Sequence, residues 1–210
     1  MVVSIARDGA DRARVELERC VAAGGVALFC ADTLYGLGCD PSNREAIGRI
    51  HALKGRDEGK PSAVMFFAPL AMREVLATLG PRTRDALAAL LPGPVTAVVS
   101  NSERRYPLAC GEHPERLGLR LIEGPLAGAQ VALFQTSANR SGEPAPSRFE
   151  EIDAEVLAGV DLAIDGGELG AEPSTVVDLT ALDGEGTWEM LREGAVPREE
   201  LEGRLAAACG

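Results

Sequence analysis

A chain of 210 residues is long enough for one sizeable domain that buries about 70% of the surface its unfolded form would expose. Hydrophobic residues at 46% and charged residues at 25% match ordinary globular chains, which excludes disordered, collagen-like and coiled-coil classes. The formal net charge of −11 argues against a protein that grips nucleic acid along a basic face, so any anion site has to be local. Met1 to Arg14 is charged and not signal-like, and no apolar run approaches the ~20 residues that span a bilayer. A cytoplasmic protein without a membrane partner is expected.

In chain order, the apolar spacing predicts an amphipathic helix over Asp11 to Ala23, then Gly24-Gly25 and a strand over Val26 to Cys30. A helix over Ser42 to Lys54 follows. Ser42 to Glu45 fits a capping box, Ile47, Ile50 and Leu53 repeat at helical spacing, and Gly55 suits the left-handed stop. Next come a strand at Ala63 to Phe67, helices at Leu70 to Leu79 and Arg82 to Leu91, and strands at Thr96 to Ser100, Leu117 to Ile122 and Val131 to Gln135. The C-terminal part reads as a helix near Phe149 to Leu157, strands at Leu162 to Ile164, Thr175 to Leu179 and Trp188 to Arg192, and a last helix from Arg198. Several strands follow one another without a helix between them. That pattern predicts an α/β fold with a twisted, mixed parallel and antiparallel sheet flanked by helices. No repeat or linker divides the chain, so residues 1–210 read as a single domain.

Five cysteines without a C-x-x-C pair or a neighbouring His point to reduced thiols and to no metal site. Polar residues at strand ends are where α/β sheets build sites, and four stretches stand out. They are Asp32 to Gly36, Lys54-Gly55-Arg56 with Lys60-Pro61, Thr136 to Gly142, and the span from Asp165-Gly166-Gly167 to Ser174-Thr175. Each has a plain structural reading as well: glycine turns are mostly turns, Ser and Asn after a strand cap helices, and Lys54 and Arg56 complement a helix dipole. Taken together they supply a cationic pair, small hydroxyls, an amide and backbone N–H groups, the chemistry a polyphosphate needs. Neither G-x-x-x-x-G-K-[ST] nor G-x-G-x-x-G after a strand occurs, so the standard nucleotide fingerprints do not account for them.

The order of these stretches resembles the YrdC/Sua5 family, the threonylcarbamoyl-AMP synthases, over essentially the whole chain. The resemblance rests on Asp32-Thr33-Leu34-Tyr35-Gly36-Leu37, Lys54-Gly55-Arg56 with Lys60-Pro61, Pro92-Gly93-Pro94-Val95-Thr96 and Leu119-Arg120. It continues through Ser137-Ala138-Asn139 with Ser141-Gly142-Glu143-Pro144, Ser174-Thr175-Val176-Val177-Asp178 and Leu191-Arg192-Glu193-Gly194. It implies a YrdC-like domain of the short form that joins L-threonine, bicarbonate and ATP, with Mg²⁺, into threonylcarbamoyl-adenylate and pyrophosphate. The product would pass to the tRNA threonylcarbamoyl-transferase machinery, and weak binding of tRNA or double-stranded RNA is part of the same implication.

Carried over by position, Lys54, Arg56, Ser137 and Asn139 are candidates for the catalytic group. Arg56, Lys60, Ser137, Asn139, Ser147 and Arg192 would face the nucleotide. Thr33, Arg120 and Ser174 would face threonine, with Arg120 suited to a free α-carboxylate. Tyr35 either shapes the pocket or only packs. Cys30-Ala31 stands where the family usually has Pro-Thr, Met65 replaces a common His, and the stretch between Arg120 and Ser137 is short, which implies a truncated helix there. A YciO-like or carbamoyl-handling enzyme with another acceptor, and a double-stranded RNA-binding module, are the competing readings.

Overall fold

The computed structural model describes residues 1–55 and 59–209. Among them, ten strands form one sheet. They are β1 (Val2–Ser4), β2 (Ala27–Cys30), β3 (Tyr35–Cys39), β4 (Ala63–Phe66), β5 (Val95–Ser100), β6 (Arg116–Leu121), β7 (Ala132–Ser137), β8 (Leu162–Asp165), β9 (Thr175–Asp178) and β10 (Glu189–Arg192). Their spatial order is β1-β8-β2-β3-β7-β4-β6-β5-β9-β10. The pairs β1–β8, β2–β8, β4–β6 and β5–β9 are parallel; β2–β3, β3–β7, β4–β7, β5–β6 and β9–β10 are antiparallel. The sheet is mixed, as the succession of strands without helices between them predicts. Helix Ala10–Ala22 packs on β1, β2 and β8, helix Arg44–Lys54 on β3, and helix Pro81–Leu90 on β5 and on the last helix, Arg198–Cys209.

Two strands escape the sequence pattern. The three-residue β1 is too short to show a period. In β3 the reason is steric. Gly36 and Gly38 share one face, and the Phe29 ring from the neighbouring strand lies against it: a Cβ at Gly38 would sit 2.9 Å from Leu133 Cδ1, 3.0 Å from Phe29 Cε1 and 3.1 Å from Phe134 O. Only glycine lets the three backbones approach so closely, and glycines of this kind read locally as a turn. β3 is nevertheless buried along its whole length and ties β2 to β7.

Helix boundaries shift for local reasons. Asn43, not Ser42, caps the helix Arg44–Lys54: its backbone is extended, and its Oδ1 accepts from Ala46 N at 3.0 Å. Ser42 is held in the preceding turn, where its N–H donates to Asp40 Oδ1 at 2.7 Å. The expected capping box is therefore replaced by a simple Asn cap. The stretch expected as one helix from Leu70 divides into a 3₁₀ turn, Pro69–Met72, and the short helix Arg73–Leu76. The one expected near Phe149 divides where Asp153 Oδ1 takes the N–H groups of Glu155 and Val156 and starts Ala154–Ala158 afresh. Between β6 and β7 the described residues form turns and no helix, with Leu126 and Ala129 buried under them.

Asn43→Ala should lower stability by about 1 kcal/mol in urea unfolding, whereas Ser42→Ala should stay within ~0.5 kcal/mol. Asn43→Ser should recover most of the loss, since a hydroxyl caps nearly as well.

Candidate active site

The ends of β2, β3, β4, β5, β6, β7, β9 and β10 meet around a cavity of about 420 Å³. Its wall includes Thr33, Tyr35, Thr96, Arg120, Ser137, Asn139, Ser174 and Arg192. Residues far apart in the chain converge because the register demands it. Gly36 lies opposite Ser137, Met65 opposite Arg120, and Thr96 opposite Val176, which in turn faces Arg192.

Lys54 organises one side. It is the last residue of its helix, just before Gly55 at φ 57°, and its side chain is buried although it carries a charge. Its ammonium donates to the carbonyls of Ser137 and, at 2.6 Å, of Asn139, while its own carbonyl accepts from Ser141 N at 2.7 Å. The Ser-x-Asn loop is thereby strapped to the helix end. Asn139 adds to the strap: Nδ2 donates to the carbonyls of Arg140 (2.8 Å) and Glu143 (2.7 Å), and Oδ1 accepts from the Ser137 hydroxyl. Sequence reasoning places Lys54 and Asn139 against phosphate. In the structure their polar groups hold the loop that borders the cavity.

Arg120, on the cavity wall, and Asp32 form a buried ion pair, with side chains 5% and 9% exposed. Contact is through a single point. Arg120 Nη2 donates to Asp32 Oδ1 and lies 3.5 Å from Thr33 Oγ1, while Arg120 Nε and Asp32 Oδ2 are buried without a partner. Burial raises the Asp32 carboxyl above its ordinary value against the opposing pull of Arg120, and it depresses Arg120 in turn, so both partners are pushed toward neutrality. Asp32 belongs to a stretch singled out in the sequence but receives no role there.

Ser174 and Arg192 close the third side. The Arg192 guanidinium donates to Ser174 O through Nη2 at 2.8 Å and through Nε at 3.2 Å, and the Ser174 hydroxyl lies 2.9 Å from Thr96 Oγ1. Thr96 is thus a wall residue that its Pro-Gly-Pro-x-Thr setting signals but the sequence reading leaves unassigned. Tyr35 both packs and shapes the wall. Its ring is buried edge-on to Phe149, and its hydroxyl donates to Gly167 O at 2.7 Å and accepts from Gly166 N at 3.0 Å.

Ser147 stands outside the cavity wall, with its N–H on Glu151 Oε2 at 3.0 Å and its carbonyl accepting from Leu169 N. Lys60 is exposed, next to the wall residues Pro61 and Ser62. Arg56 lies outside the described residues. Met65 is fully buried in β4. A thiol nucleophile is disfavoured, since burial pushes Cys20 up to about 11 and Cys30 and Cys39 up to about 12.

A family model for Sua5, YciO and YrdC proteins, described as telomere recombination, matches residues 19–194. A threonylcarbamoyl-AMP synthase of Chromohalobacter salexigens is 35% identical over 162 residues, which is 74% of this chain and 86% of that protein. Among solved structures, Pyrococcus abyssi Sua5 complexed with L-threonine superposes with a TM-score of 0.83 at 28% identity, over 97% of this chain and 60% of that one. Escherichia coli YciO superposes with a TM-score of 0.76 at 26% identity, over 93% of this chain and 95% of that one. The chain thus spans less than two thirds of the Sua5 chain it matches.

If Lys54 acts through the loop, Lys54→Met should lower stability by roughly 2–3 kcal/mol together with activity, because it removes charge-assisted bonds to part-buried carbonyls. Thermal unfolding beside an activity assay checks this. Unchanged stability with lost activity would return Lys54 to direct phosphate contact.

Proposed function

Because the chain belongs to the Sua5/YciO/YrdC family, we propose that it is a threonylcarbamoyl-AMP synthase that makes threonylcarbamoyl-adenylate and pyrophosphate from L-threonine, bicarbonate and ATP. The observation that carries the reading is a single cavity whose wall holds the guanidinium of Arg120 and the hydroxyls of Thr33 and Ser174, groups that suit an α-amino acid, together with Ser137 and Asn139 of the strapped loop. That the Pyrococcus abyssi relative is found complexed with L-threonine supports threonine as the amino acid.

In this reading Arg120 Nη1 takes the α-carboxylate, since Nη2 is already engaged with Asp32 and Thr33. We assign Lys60 and Arg56 to the triphosphate, and Arg192 and Ser137 to the nucleotide, on their place in the family's motifs. Lys54 and Asn139 contribute by holding the loop in register. The threonine nitrogen captures bicarbonate, and the resulting carbamate oxygen attacks the α-phosphorus in line with departing pyrophosphate. The protein supplies position and charge, with little covalent chemistry asked of it.

Among the described residues no group of three or more His, Cys, Asp or Glu comes together as a metal site. We assign Mg²⁺ to the phosphate oxygens of the nucleotide, the ligands that this hard cation prefers. No described helix is long and apolar enough to cross a membrane. We place the enzyme in the cytoplasm, feeding its adenylate to the transferase machinery that modifies tRNA.

Pyrophosphate should leave ATP only when L-threonine and bicarbonate are both present with Mg²⁺. Serine should be poorer by ~10–200-fold, the ceiling one methyl contact allows. Arg56→Ala should cut turnover by ~10² or more, as loss of a preorganised charge does. Release indifferent to threonine, or dependent on carbamoyl phosphate in place of bicarbonate, would overturn the assignment in favour of a carbamoyl-handling enzyme.

A further inference from the structure

Carbamate formation needs a group that accepts a proton, because nitrogen bonds carbon only as a free amine. Among the wall residues, hydroxyls, amides and guanidinium groups are poor acceptors near neutral pH, and the carboxylate of the wall, Glu143, is solvent-exposed on the loop after β7. Asp32 is different. It stands in the chain between the wall residues Ala31 and Thr33 and is paired with Arg120, which also lines the cavity. A bidentate pairing would lock its carboxylate in the charged form, but the observed pairing uses Oδ1 alone and leaves Oδ2 buried without a donor.

We propose that Asp32 accepts a proton from the threonine nitrogen as the carbamate forms. The inference rests on the synthase reading above and deepens it. The threonine ammonium gives up two protons as its nitrogen bonds the bicarbonate carbon. The carbon–hydroxyl bond breaks, the departing hydroxide takes one proton and becomes water, and Asp32 takes the other. The products are the carbamate anion, water and a neutral Asp32, so atoms and charge balance.

Charge counting explains why the proton goes there. Before substrate binds, Arg120 and Asp32 neutralise each other inside the wall. When the α-carboxylate joins Arg120, one guanidinium faces two carboxylates, and like charges at close range favour protonating one of them. The buried Asp32, already raised by desolvation, is the one that yields. The other charged groups acting on the pair reinforce this: Glu123, just beyond β6, raises Asp32 further, and Arg192 on β10 lowers Arg120.

The test is Asp32→Asn, which keeps an oxygen on Arg120 and cannot take the proton. Its kcat for pyrophosphate release should fall by ~10²–10⁴, the usual contribution of a proton acceptor, while KM for threonine stays unchanged or drops with the competing charge gone. Across pH, the variant's rate should keep climbing as free amine becomes more abundant, whereas the wild-type rate levels off once Asp32 is ionised. Asp32→Glu restores a titratable carboxyl and should restore the plateau, which keeps the idea testable if the Asn variant fails to fold. A variant whose kcat and pH profile match wild type, or whose whole loss appears as a raised KM, would reduce Asp32 to a brace for Arg120. Wild-type protein that releases no pyrophosphate with threonine and bicarbonate would instead overturn the synthase reading itself.

Discussion

The close approach of β3 to its neighbours is the constraint from which the site follows. Gly36 and Gly38 let the Phe29 ring lie close against the strand, so β2, β3 and β7 form one tight antiparallel block. Within that block the register sets Gly36 opposite Ser137, which brings the turn carrying Asp32 and Thr33 to the same end of the sheet as the Ser-x-Asn loop. A side chain at either glycine would force the strands apart by tenths of an ångström in a region that is buried on both faces. Packing at organic-crystal density leaves no room to absorb that.

Two buried charges then give the cavity its chemistry, and each is handled differently. Lys54 is surrounded by carbonyl oxygens at the end of a helix, where the negative end of the dipole and the loop carbonyls together stabilise an ammonium. Arg120 meets a carboxylate at one point only, leaving an unmatched donor and an unmatched acceptor. The first arrangement is a structural rivet. The second is incomplete, and an incomplete buried pair is what a site retains when a ligand finishes the network.

An acidic chain can therefore work on a polyphosphate without a basic surface. The positive groups near the cavity are few, and the most buried of them are tied to specific oxygens, so the attraction is local and short in range. The net charge of −11 stays on the rest of the surface. Such a distribution suits a small anionic substrate better than a nucleic-acid duplex, whose phosphates would meet mostly carboxylates.

The sequence by itself determined the class of fold, most of the strands and the long helices, because apolar spacing reports which face of an element is buried whatever it is buried against. Of the residues it singled out, Thr33, Arg120, Ser137, Asn139, Ser174 and Arg192 line one cavity, whereas Lys54, Lys60 and Ser147 are not part of that wall. What it left open depends on partners distant in the chain. β3 is a strand only because Phe29 and β7 lie beside it, Asn43 displaces Ser42 as cap because Asp40 claims the Ser42 N–H, and Ser147 hydrogen-bonds Glu151 and is not part of the cavity wall. Likewise Lys54 looks like any cation near a phosphate site until the loop 83 residues onward in the chain folds over it, and Asp32 has no meaning until Arg120 is placed against one of its two oxygens. Local spacing encodes which side chains are present; which atom of each remains free for chemistry is decided by the tertiary contacts that occupy the others.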